Sequence, residues 1–209
     1  MLAEHPVTDW LVQISHQLFT VKKRVPLTIS RGTHSESTNL WIRVADSHID
    51  PDIEGWGEAV PFSIGTHRQT LDEFQTATQF LAKQLKPLHP FERQKIETLM
   101  QEYTLPSALR AALDVALWDW WGKCLQQPLW RIWGLALDQI TPTSVTIGIS
   151  SPEAAQKRLQ DWLQQTSALA VKVKLGSPRG VEADKAMFQA VFDQTPPNVS
   201  LSVDANGGW

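Results

Sequence analysis

Between Ser144 and Asp204 apolar runs of strand length alternate with helical stretches: "SVTIGI", "SPEAAQKRLQDWLQQT", "LAVKVKL", "GVEADKAMFQAVFDQT" and "VSLSVDA". Ser151 and Pro152 open the first of these helices as N-cap and first helical residue. Strand, helix, strand, helix, strand at a spacing of about 30 residues reads as a parallel sheet or barrel, because parallel neighbours need a crossover of this kind. Three strands cannot close a barrel, which takes eight strands and about 250 residues. Either the sheet is open or part of a barrel is missing.

In "VKVKLGSPRG" the residues Val171, Val173 and Leu175 share one strand face, and Lys172 and Lys174 share the other. A parallel strand covered by helices on both sides should be apolar throughout, so this polar face needs a reason. The third strand repeats it: Leu201 and Val203 alternate with Ser202 and Asp204, and Asn206 continues the polar parity. In a parallel barrel the polar side points inward, and the carboxyl ends of the strands surround the site. Lys172, Lys174, Asp204 and Asn206 thus form one candidate constellation, weighed against solvated strand ends. The chemistry it suits is proton abstraction. A neighbouring cation disfavours the charged form of a lysine and leaves Lys174 available as a base. Asp204 suits Mg²⁺, a hard ion that prefers oxygen ligands and stabilises an oxyanion.

The region before this alternation has another grammar. Residues 10–62 read as an antiparallel meander: a segment from Trp10 to Leu18, then "PLTIS", "NLWIRVA" and "GWGEAVPF", with "RGTHSEST" and "DSHIDPDIE" as loops. From Thr70 the apolar residues Leu71, Phe74, Ala77, Phe80, Leu81 and Leu85 recur at helical steps until Pro87. A second helix fits Phe91 to Glu102. A third fits "PSALRAALDVALWDWWGKCLQQP", with Gly122 marking its end, and "PLWRIWG" makes a short fourth. This is an α+β domain. Trp118, Trp120, Trp121, Trp130 and Trp133, half of the ten tryptophans, crowd one stretch and read as core or interface.

A formal net charge of -3 excludes the basic excess that nucleic acid or an anionic membrane would select. Neither an 18-residue apolar run nor a basic leader is present, so the expectation is a cytoplasmic protein acting on a small molecule, with a homo-oligomer left open. The single Cys124 cannot make an internal disulfide, fits a reducing compartment and is given no role. "LGSPRG" lacks both glycine-rich phosphate signatures. His5, His16, His34, His48, His67 and His89 show no zinc spacing, and no G-x-S-x-G elbow occurs. Asp114, Asp119 and Glu58 read as structural charges.

The segments "GWGEAVPF", "ALRAALDVALWDWWGKCLQQPLWRIWG", "TIGISSPEAA", "VKVKLG" and "VDANGGW" together resemble the enolase superfamily, muconate-lactonizing and mandelate racemase-like, and most closely its dipeptide epimerases. The resemblance implies an α+β capping domain over residues 1–138. An incomplete TIM-type barrel of parallel strands follows over 139–209, holding the first three strands and two helices. Sites of this kind pair a lysine or histidine base with one or two Mg²⁺ ions. By its K-x-K motif the resemblance makes Lys174 the acid/base and Lys172 an assistant at the substrate carboxylate. By its D-x-N motif it makes Asp204 the first metal ligand, with Asn206 beside it. It also implies that Arg31, in "LTISRGTHSES", meets a substrate carboxylate, a task suited to a bidentate guanidinium.

The implied reaction is a Mg²⁺-dependent 1,1-proton transfer at the carbon next to a carboxylate of a dipeptide such as L-Ala-L-Glu. Two further acidic ligands and a second acid/base lysine of the family fall beyond Trp209, so the expectation is a C-terminally truncated chain, inactive alone. o-Succinylbenzoate synthase, muconate cycloisomerase and a non-catalytic truncated product are the alternatives.

Overall fold

A computed structural model describes residues 12–46, 52–64 and 67–209. The start of the strand expected from Trp10, most of the loop "DSHIDPDIE", and His5 and His48 lie outside the described residues. The chain divides into two compact units. One takes Ser37–Leu137 with the described residues up to Val21; the other takes Lys22–Glu36 with Asp138–Trp209.

Two long strands, β1 (Val12–Ile29) and β2 (Gly32–Asp46), form a hairpin, and β3 (Glu54–Ala59) pairs antiparallel with β2, giving the order β1-β2-β3. This corrects the expectation of a loop over "RGTHSEST". The turn is only Ser30 and Arg31, closed by Gly32 at φ 133, and the threonine-rich stretch continues as strand. Hydroxyl groups and rings both link the arms: Thr20 bonds Thr38 and Thr28 bonds Thr33, each at 2.9 Å, and the Phe19 ring lies 4.2 Å from that of Trp41. A short hairpin, β4 (Ser63–Ile64) with β5 (His67–Arg68), leads into the helices.

Helix α1 (Leu71–Gln84) starts at Thr70, whose hydroxyl accepts from Glu73 N–H while Glu73 accepts from Thr70 N–H, a reciprocal cap. α2 (Arg93–Glu102) and α3 (Ser107–Cys124) follow. Leu40, Ile42 and Val44 of β2 pack with Phe74, Leu81, Ile96, Met100, Leu109, Leu113 and Leu117 in one core. Gly122 does not stop α3, which runs to Cys124. Its missing side chain makes room for Leu129, at the start of α4 (Leu129–Ile132). Trp120 is fully buried, whereas Trp118 stacks on Trp121 and meets the edge of Trp133 in a more exposed aromatic group.

The three strands of the other unit are β6 (Ser144–Ile147), β7 (Ala170–Lys174) and β8 (Ser200–Asp204), joined by α5 (Pro152–Gln165) and α6 (Val181–Phe192). They are parallel in the order β6-β7-β8. Ser151 caps α5 by accepting from Ala154 N–H at 3.2 Å. Val145, Ile147, Val171 and Val173 pack with Ala155, Leu159, Met187 and Val191 of the helices. The opposite strand face carries the lysines. No helix among the described residues is long and apolar enough to cross a membrane.

Candidate active site

Register brings the polar face together. Across β6, β7 and β8 one row is Thr146, Lys172 and Ser202, and the next row on β7 and β8 is Lys174 and Asp204. Both residues of this second row end their strands. Lys174 Nζ donates to Asp204 Oδ2 at 2.8 Å, with side chains 13% and 34% exposed. Asn206 wraps back on the same carboxylate, its N–H donating to Oδ1 at 2.9 Å. That turn needs the left-handed φ of 50 that asparagine tolerates better than most residues.

The Lys174 ammonium first, the Asn206 N–H next and the charges of Lys174 and Lys172 hold the Asp204 carboxyl below its ordinary value. A depressed carboxyl contributes stability that is present above the unfolded value and lost as pH falls through the folded one. Carboxyl NMR of Asp204 is expected to give a midpoint below that of a free aspartate, moving upward in Lys174→Met. An unmoved midpoint would show that the pair does not form in solution.

Lys174, Asp204 and Asn206 are thus brought together, and Lys172 stands one row back along the same strand face. Arg31 is exposed in the hairpin turn, and no hydrogen bond or ion pair among the described residues joins it to the lysines or to Asp204. Its neighbour Ser30 donates to the main-chain oxygen of Asn206 at 3.3 Å, and Ile149 N–H donates to Thr28 O at 2.9 Å. Ser30 carries no sequence signal of this contact. Gly176 and Gly208 make it sterically available, because a methyl group on either would approach Ser30 Cβ to 3.0 and 2.8 Å. Asp114 and Glu58 hold structural partners: Arg93 pairs with Asp114, and Asn39 donates to Glu58 at 2.5 Å. Asp119 accepts from Trp56 N–H at 2.9 Å and from Lys123 at 2.7 Å.

As oxygen donors for a magnesium ion these residues fit in kind and fall short in number. Asp204 offers a carboxylate and Asn206 a buried amide oxygen with no hydrogen-bond partner among the described residues. Among the described residues no group of three or more His, Cys, Asp or Glu gathers to hold a metal. One carboxylate and one amide oxygen do not make a tight magnesium site by themselves.

The family model for the N-terminal domain of mandelate racemase / muconate lactonizing enzyme matches residues 13–134. A hydrophobic dipeptide epimerase of Flavobacteria bacterium (strain MS024-2A) is 42% identical over 193 residues, covering 91% of this chain and 52% of the relative. One of Roseobacter litoralis is 37% identical, over 95% of this chain and 55% of the relative. The solved dipeptide epimerase of Enterococcus faecalis V583, complexed with Mg and the dipeptide L-Leu-L-Tyr, superposes with a TM-score of 0.83 at 25% identity. That match covers 96% of this chain and 55% of the solved one. The chain spans about half the length of the curated relatives it matches.

Proposed function

Because the chain belongs to the mandelate racemase / muconate lactonizing enzyme family, we propose that it carries part of the active site of a cytoplasmic dipeptide epimerase. The observation behind this reading is the 2.8 Å approach of Lys174 to Asp204 at adjacent parallel strand ends, in a polar row that an all-apolar parallel sheet would not otherwise contain. The identity to dipeptide epimerases supports the substrate class. In this reading residues 1–138 are the capping domain and 139–209 open the barrel.

Lys174 removes or returns the proton on one face of the α-carbon. Lys172 and Arg31 meet carboxylate groups of the dipeptide as charged donors. Asp204, ionised over the neutral range, and Asn206 contribute oxygen ligands. When bound there with ligands from other residues, a magnesium ion supplies positive charge beside the substrate carboxylate.

The test is to incubate the active protein carrying this chain with a dipeptide library and Mg²⁺ in D₂O. Deuterium is expected at one α-carbon, accompanied by the epimer. No exchange across hydrophobic, acidic and cationic dipeptides would overturn the assignment.

A further inference from the structure

Asp184 has no part in the chemistry above, yet it is one of the few buried charged residues among those described, 3% exposed. It stands in the first turn of α6, where an acidic residue is ordinarily a solvated complement to the helix dipole, as its exposed neighbour Glu182 is. Its carboxylate instead collects donors from two other places in the chain. Oδ2 accepts from Gly176 N–H at 2.8 Å and Trp209 Nε1–H at 3.3 Å, and Oδ1 accepts from Ser177 N–H at 3.0 Å.

Those donors flank the candidate base and ligand. Gly176 is two residues past Lys174, and Trp209 is five past Asp204. The paired register of β7 and β8 ends at Lys174 and Asp204, with one further backbone bond from Leu175 N–H to Asp204 O at 3.1 Å. Beyond that bond the two strand ends are joined through the Asp184 carboxylate. Charge-assisted bonds of this kind are stronger and more directional than neutral ones. Gly176 adds to the constraint: its φ of 89 favours glycine, and a Cβ there would stand 3.0 Å from Ala205 O and from Gly208 Cα.

We propose that Asp184 is a positioning residue that fixes the end of β7 against the end of β8 and thereby sets the approach of Lys174 to Asp204. Its catalytic consequence rests on the reading of Lys174 as a base.

Two variants and two readouts test it. Asp184→Asn replaces one acceptor oxygen with an amide that cannot accept; Trp209→Phe removes a single donor from a side chain that is 69% exposed and so leaves folding intact. Backbone hydrogen exchange of the 209-residue chain is expected to show protection at Gly176 and Ser177 falling about tenfold in Asp184→Asn, the equivalent of one hydrogen bond. In the active protein, D₂O exchange is followed separately from each epimer of a dipeptide. Both variants are expected to slow exchange from the epimer that Lys174 deprotonates more than from the other. A structural role alone lowers both equally, and equal loss, or unchanged amide protection, overturns the proposal. If the unsubstituted protein exchanges neither epimer, the epimerase reading fails and amide protection alone decides whether Asp184 ties the strand ends. If Asp184→Asn does not fold, the face-selective loss in Trp209→Phe decides.

Discussion

Lys174→Ala is expected to lower epimerisation by about 10³-fold in the active protein that carries this chain, the scale of losing a positioned acid/base group. The loss is expected in kcat, with KM changed little, because Lys172 and Arg31, the residues proposed to meet the substrate carboxylates, remain. Lys172→Ala should do the reverse in part, raising KM, since Lys172 sits one row back and is assigned to binding. Lys174 is only 13% exposed and pairs with Asp204, so loss of folding has to be separated from loss of chemistry. Steady-state kinetics with thermal melts of each variant make the check. A Lys174→Ala protein within tenfold of the unsubstituted rate would remove Lys174 from the mechanism.

The largest effect on folding is expected at Gly57. β3 lies so close to α3 that a methyl group at Gly57 would stand 1.9 Å from the carbonyl oxygen of Ala112. One at Gly55 would stand 2.0 Å from that of Ala116 and 2.5 Å from Trp120 Cβ. Gly55 and Gly57 share a strand face, and Ala112 and Ala116 are one helical turn apart, so two small pairs form a seam in which backbone meets backbone. Backbone cannot swing aside as a side-chain tip can. Gly57→Ala is therefore expected to cost about 3 kcal/mol or more, lowering the melting temperature by roughly 10 °C. Gly134→Ala is the comparison. There φ is 67 but nothing lies within 4 Å of an added methyl, so only backbone strain is incurred, about 1 kcal/mol. Equal midpoints for the two variants in urea would show that β3 and α3 are not so tightly apposed.

The sequence reading of helices succeeded where apolar periodicity and punctuation coincide: Ser151 and Pro152 open α5 as their chemistry requires, and Leu71, Phe74 and Leu81 mark the buried stripe of α1. The parallel strands were legible because valine and lysine alternate in a setting where alternation is unexpected. The hairpin was legible only in part. Its residues 20–26 and 31–36 are exposed, so no alternation survives there, and serine, threonine and histidine in "GTHSEST" have the composition of a loop. Register brought Lys174 to Asp204, and that followed from strand parity. The contact of Ser30 with Asn206 joins segments far apart in sequence, and Asp184 is held by Gly176, eight residues back, and by Trp209; no local pattern marks either residue.

The hairpin has a consequence for recombination. The segment Lys22–Glu36 is counted with Asp138–Trp209, while the chain on both sides of it is counted with the other unit. A single crossover near residue 138, the natural choice for shuffling halves between relatives, would replace the sheet but leave behind the segment whose Thr28 carbonyl accepts from Ile149 and crowds Gly148. Chimeras that exchange the half bearing Lys174 and Asp204 should therefore inherit the hairpin tip from the same parent, so that a tip and the strand ends it touches are never drawn from two sources.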